Sequence, residues 1–219
     1  MNLHTSKELL QDAILATAEY LDMREIYVEK DYWVTVALYE IFHSNIAGQT
    51  VFKGGTALAK CYKLIERFSE DIDMVVLRNE GESDNQLKKK IREISKVVTK
   101  VIPEVEIDGI TNKMGNIRKT VHQYEKKFEV DFGQVREHVV VEATWLGNFE
   151  PFSEMPVSSY ITDMMRAKGQ DELIEKYNMA PFNIQVLSKL RTFCEKIMSL
   201  VRFSRSPEPI VDLRNKIRQ

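Results

Sequence analysis

The sequence predicts an α/β (α+β) fold, a mixed β-sheet flanked by helices. Three observations carry this. The stretch FKGGTALAKCYKLIERFSEDIDMVV, residues 52–76, runs from a glycine turn through an amphipathic segment into an apolar run holding two aspartates. Helical periodicity dominates the start and the end of the chain. The middle holds three runs rich in β-branched and aromatic residues, separated by turn signals.

In chain order, residues 6–21 read as a helix, with Leu9, Leu10, Ala13, Ile14, Ala16 and Ala18 on its apolar side. Residues 25–27 break the pattern. A second helix is expected over 29–43, with Trp33, Val36, Ala37 and Ile41 in a wide stripe. Residues 45–50 read as a loop and 51–53 as a short strand delivering the glycine turn. The following helix, 56–65, places Leu58, Cys61, Tyr62 and Ile65 at helical spacing, with Lys60 and Lys63 on its polar sides. Residues 71–77 form the next strand. After a polar loop at 79–85, Ser83 or Asp84 caps a long helix over 85–102, and Pro103 ends it.

Three β-like runs follow at 105–110, 120–132 and 139–146. Residues 149–156 read as a loop, 156–161 as a short edge strand, 171–177 as a short helix and 182–187 as a strand. Ser188 caps a helix over 189–203, where Leu190, Phe193, Cys194, Ile197 and Val201 form the expected buried stripe. Arg191 and Glu195, four apart, can pair on it. A loop with two prolines, 204–209, leads into a last helical start at 212–218. Two regions are expected: 1–187, the sheet domain with its N-terminal helices, and 188–219, the start of a helical region.

Composition narrows the function. The chain has 219 residues, 43% of them apolar, and a net charge of −2. That is enough chain for a substantial core, and it provides no global basic field, so any nucleic-acid contact must come from a local patch. Cys61 and Cys194 lie far apart without metal-ligand spacing and read as buried thiols in a reducing cytoplasm. No stretch is long and apolar enough to span a bilayer, and the start lacks a signal-peptide pattern. The basic run 88–90 with Arg92 reads chiefly as a solvated helix face, with contact to an RNA backbone as the rival.

Chemistry concentrates at 54–73. Asp71 and Asp73 are two apart on a strand and share a face, while Ile72 and Met74 take the other. Two carboxylates side by side repel and resist burial, and a bound cation relieves both. Mg²⁺ is commonly held by one or two carboxylates together with substrate phosphates. Gly54 and Gly55 let the backbone approach a phosphate, and Thr56 opens a helix whose N–H groups attract anions. Ser69 reaches either a phosphate or Asp71, or shapes the strand entry beside Arg67. The run VVVEATW is apolar except for Glu142, and an acid in such a strand needs a partner or a metal. Lys30 and Asp31, in VEKDYWVTVAL, read chiefly as a salt-bridged helix start, with a place near substrate as the rival.

These residues carry a family resemblance. The glycine turn followed by D-x-D resembles the first motif of the nucleotidyltransferase superfamily. The wording GGTALAKCYKLIERFSEDID resembles the AbiEii/AbiGii toxin-like branch. VEKDYWVTVAL and the R-T-x-x-E-K run of LSKLRTFCEKIMSL are similar to further motifs of that branch. The resemblance implies a nucleotidyltransferase-like sheet and a third carboxylate beside D-x-D, for which Glu142 is preferred over Asp131. It implies Asp71, Asp73 and Glu142 as metal ligands, Gly54, Gly55, Thr56 and Ser69 around the triphosphate, and Lys196 neutralising phosphate charge.

The implied activity is Mg²⁺-dependent transfer from a nucleoside triphosphate to RNA, a tRNA 3′ end, by a toxin restrained by an antitoxin protein. The alternative is a weak or inactive module of the same fold that binds RNA or a partner. The family continues beyond the position of Arg218 with His and then an aspartate, whereas this sequence ends at Gln219. The 219-residue chain is therefore expected to bind Mg²⁺–nucleotide weakly and to transfer slowly or not at all.

Overall fold

A computed structural model describes residues 1–65, 71–128, 138–146 and 150–205. The chain begins with α1 (Lys7–Leu21) and α2 (Glu25–Phe42). Strand β1 (Thr50–Lys53) runs directly into α3 (Gly54–Lys60), and β2 (Asp71–Val76) is followed by α4 (Asp84–Thr99). Then come β3 (Glu104–Val105), β4 (Ile117–His122), β5 (Val139–Thr144) and β6 (Phe152–Val157). Helices α5 (Tyr160–Ala167) and α6 (Asp171–Lys176), strand β7 (Phe182–Leu187) and helix α7 (Lys189–Ser204) complete the described chain.

Among the described residues the strands form one mixed sheet in the order β3-β4-β5-β2-β1-β7-β6. The centre joins two parallel pairs through one antiparallel pair: β1 is antiparallel to β2, β2 parallel to β5, and β1 parallel to β7. The expected α/β class with a helix-flanked mixed sheet is therefore the observed one. Strand alternation sorts the two faces. Phe52, Ile72, Met74, Val139, Val141 and Ala143 point into the main core, which α1, α2, α4 and α5 cover. The opposite face carries a small apolar group, Val51, Val75 and Leu187, and the buried pair Val121 and Val140, beside the polar residues described below.

Helix α2 is the spine of the covered side. It is buried from Val28 through Leu38, a run that includes Glu29, Lys30 and Asp31. It begins at Glu25 rather than at 29, because Glu25–Tyr27 are simply its first, partly exposed turn after Asp22 turns the chain with φ +49°. Ser83 starts α4 as expected, its N–H donating to Gln86 Oε1 at 2.8 Å.

Elsewhere the periodicity placed elements imperfectly. Helix α3 stops at Lys60, not 65. Lys63 takes a left-handed conformation and the Leu64 N–H turns back to the Leu58 carbonyl at 3.0 Å. The run 105–110 yields one strand residue, Val105 at the end of the two-residue β3, and 120–132 yields a strand that starts earlier and ends at His122. The edge strand is Phe152–Val157, not 156–161; it falls in the stretch that Pro151 and Pro156 make read as a loop. An edge position tolerates Pro156, since one side of the strand needs no ladder donor. Helix α5 was not expected; Ser159 caps it, accepting from the Thr162 N–H at 3.1 Å. Ser188 does the same for α7, accepting from Arg191 at 3.2 Å.

Helix α7 departs most from expectation. Leu190, Phe193, Ile197 and Val201 are exposed, as is Cys194. The stripe that periodicity assigned to the core faces outward, because α7 turns its polar side, Thr192, Glu195, Lys196 and Ser199, toward the sheet. The expected helix at 212–218 lies outside the described residues.

Candidate active site

The site is built where β1 ends and α3 begins. Gly54 has φ +82°, a conformation that L side chains rarely adopt. A methyl group built there would overlap Asp73 Oδ2 and stand 3.1 Å from Asp73 Cβ. Glycine is therefore required twice over, by the backbone angle and by the carboxylate packed against it. The turn and the second aspartate of D-x-D are parts of one site. Thr56 ties them further, its hydroxyl donating to the Asp71 carbonyl at 2.6 Å. That bond fixes α3 to β2, so any contact of Thr56 with an anion is left to its backbone.

Register then aligns four charged residues across four neighbouring strands. Lys53 on β1 is the cross-strand partner of Asp73 on β2. Asp73 is the partner of Glu142 on β5, and Glu142 of Lys119 on β4. Partners in register share a face, so the row reads Lys–Asp–Glu–Lys on the side away from the main core. Lys119 Nζ lies 3.3 Å from Glu142 Oε2. Lys53 Nζ lies 3.2 Å from Glu195 Oε2 of α7, and Arg191 pairs with the other oxygen of Glu195 at 3.7 Å. Lys53, Gly54, Asp73, Glu142, Thr192, Glu195 and Lys196 line a cleft of about 230 Å³ between sheet and helix.

Asp73 is the electrostatic centre. Burial, then the negative charges of Glu142 and Asp71, push its carboxyl from 3.8 up to about 7, against the opposing pull of Lys53 and Lys119. A carboxylate held this way gains from any cation placed beside it. The oxygen-only donors of Asp73 and Glu142 fit a hard divalent ion completed by phosphate oxygens. Among the described residues, no three His, Cys, Asp or Glu side chains gather at metal-binding spacing. Asp71 shares the face, but it sits opposite Val140, one pleat (about 7 Å) along β2 from Asp73.

Asp73, Glu142, Lys196 and Gly54 thus come together at the cleft, Gly55 and Thr56 follow in the turn, and Asp71 stands beside it. Glu142 lies on the same face as Asp73. Its competitor Asp131 lies outside the described residues, as do Ser69, Arg67 and Arg218.

The motif around Lys30 and Asp31 serves the scaffold. Asp31 Oδ1 accepts from Lys60 at 2.5 Å and Oδ2 from the Tyr160 N–H at 2.8 Å, joining α2, α3 and α5. Lys60, expected on a polar side, is instead buried as Asp31's partner. Lys30 Nζ donates to the His138 carbonyl at 2.5 Å and Glu29 Oε1 accepts from the Lys127 N–H at 2.7 Å. Sequence reasoning missed Lys53, Lys119 and Glu195 as neighbours of the acids. Lys53 adjoins the glycine turn, a usable local signal, but Lys119 becomes visible only through strand register.

A search of curated proteins finds no match. Among solved structures the chain is similar to MenT4, a nucleotidyltransferase toxin from Mycobacterium tuberculosis H37Rv, with 17% identity and a TM-score of 0.48, over 88% of this chain and 59% of that one. The chain therefore spans less than two thirds of that protein's length. The family model of the AbiEii nucleotidyl transferase toxin, of type IV toxin–antitoxin systems, matches residues 36–216, and this chain belongs to that family.

Proposed function

We propose that this chain is an Mg²⁺-dependent nucleotidyltransferase, the toxin of a toxin–antitoxin pair, which transfers a nucleotide from a nucleoside triphosphate to an RNA end, that of a tRNA. The observation that carries this reading is the packing of Asp73 against Gly54, which makes a carboxylate site and a close-approach backbone turn into one pocket. Membership of the AbiEii family supports the reaction class.

In this reading the triphosphate lies at Gly54 and Gly55, with Lys53 and Lys196 offsetting its charge. Asp73 and Glu142, with Asp71 beside them, would hold Mg²⁺, which neutralises charge on the transferred phosphoryl group and polarises it. The acceptor hydroxyl attacks the α-phosphorus in line. A new P–O bond forms, the bond from the α-phosphorus to the bridging oxygen breaks, and pyrophosphate leaves with that electron pair. A carboxylate of the row, Glu142 by position, takes the hydroxyl proton. Positioning and charge do most of the work in such transfers.

The test is incubation of the protein with each labelled nucleoside triphosphate, Mg²⁺ and bulk tRNA, alongside a protein extract as rival acceptor. Label should enter tRNA and vanish with chelator or with Asp73→Asn. Label confined to protein, or none with any nucleotide, overturns the proposal.

A further inference from the structure

We infer that Lys119 is an acceptor-positioning residue, which binds a backbone phosphate of the incoming polynucleotide on the side of the carboxylates opposite the triphosphate; the inference rests on the reading above. The row Lys53–Asp73–Glu142–Lys119 has two distinguishable ends. At the first, Lys53 adjoins the glycine turn and α7 closes over it through Glu195. In-line displacement places the leaving pyrophosphate and the attacking hydroxyl on opposite sides of the α-phosphorus. With the phosphates at the Gly54 end, the hydroxyl enters from the Glu142 end, where Lys119 is the next residue of the row.

Size supports this division. A cleft of about 230 Å³ is smaller than an ordinary small-molecule site. Such a cleft has room for the reacting groups, so the body of a polynucleotide lies along its rim and presents its end. Lys119 is not among the residues lining the cleft but stands just past Glu142. Its backbone is held on both sides, by register with Glu142 and by paired bonds with Asn112 at 2.6 and 2.9 Å. The Cα is thus fixed while the ammonium stays within reach of solvent.

Its pairing with Glu142 is partly exposed, with side chains 27% and 34% accessible. Such a pair is weak, and exchanging Glu142 for a phosphate oxygen costs Lys119 little. The exchange also frees Glu142 for the cation and for the acceptor proton. A lysine suits this role because it binds phosphate as a point charge and does not read the base.

The experiment compares wild type with Lys119→Met and Lys119→Arg. Affinity for bulk tRNA is measured across a salt titration, affinity for each Mg²⁺–nucleoside triphosphate without RNA, and the urea midpoint. Lys119→Met should weaken tRNA binding about tenfold at low salt and lower the slope of log affinity against log salt by about one phosphate contact. Mg²⁺–nucleotide affinity should not fall, because losing the lysine only releases Glu142 for the cation, the urea midpoint with Mg²⁺ present should change little, and arginine should restore the slope. An unchanged tRNA slope in Lys119→Met, an equal loss of nucleotide and tRNA affinity, or no tRNA binding by wild type overturns the inference. Because these readouts need no turnover, a wild type that binds tRNA in this way yet transfers nothing sinks the proposed reaction alone.

Discussion

Two acid–lysine arrangements lie on opposite sides of the sheet, and the same residue types do different work in each. On the covered side, Asp31 and Lys60 are 4% and 7% exposed at their side chains. Both Asp31 oxygens are engaged, one by Lys60 and one by the Tyr160 N–H. On the open side, Asp73 and Glu142 stand together between two lysines, and Asp73 holds its proton up to about 7. The first arrangement is closed and satisfied, so it fixes three helices. The second keeps like charges side by side next to a cleft, so it favours an arriving cation. A site differs from an anchor here by like charges held side by side at an accessible place, not by the presence of acids and lysines.

Asp73→Asn should give the largest effect in opposition to that anchor. It keeps shape and removes one charge, so transfer should fall by roughly a thousandfold or more while the fold persists. Its urea midpoint should equal or exceed that of the wild type, because a repulsion is relieved. A variant that unfolds instead would make the row structural.

Asp31→Ala should do the reverse. It leaves Lys60 buried without its counter-charge and the Tyr160 N–H without its acceptor, at a cost of about 3–5 kcal/mol. Replacing both partners, Asp31→Leu with Lys60→Met, should recover most of that loss. Equilibrium urea unfolding measures all three variants. Normal stability of Asp31→Ala together with lost nucleotide binding would move Asp31 from the scaffold to the site.

The smallest effect is in the pH dependence. The folded-state affinity of Asp73 for its proton exceeds the unfolded one, from 3.8 up to about 7. The folded protein therefore binds the extra proton, and the associated stability is fully present below about pH 4 and lost as pH rises through 7. His4 and His122, lowered by burial, run the opposite way, gaining stability as pH rises toward 6.5. The difference between wild type and Asp73→Asn cancels them. That difference should grow by about 2 kcal/mol between pH 5 and 8 in metal-free buffer, reduced from the full shift for solvent screening. Added Mg²⁺ should remove most of it. A pH-independent difference would mean that Asp73 is not perturbed by its neighbours.

What was legible in the residues is what acts over short range. The glycine turn, the shared face of Asp71 and Asp73, and the starts of α4 and α7 at Ser83 and Ser188 depend on residues a few positions apart. Backbone angles, strand alternation and side-chain caps act over that distance. The α/β class followed from the same signals. How Glu142 meets Asp73, and that Lys53 and Lys119 flank the two acids, depends on strand register across the sheet. Glu142 faces Asp73, and Lys119 faces Glu142, because strands distant in sequence pair in one register, and a shift of one residue would turn every side chain to the other face. The same holds for α7. Its apolar stripe reads as core, yet its polar side meets the sheet, because Lys53 pairs with Glu195 there. Lys60 reads as surface yet is buried, because Asp31, twenty-nine residues earlier, pairs with it inside. Periodicity says which residues share a side of an element; which side is covered depends on partners that only the folded chain brings near.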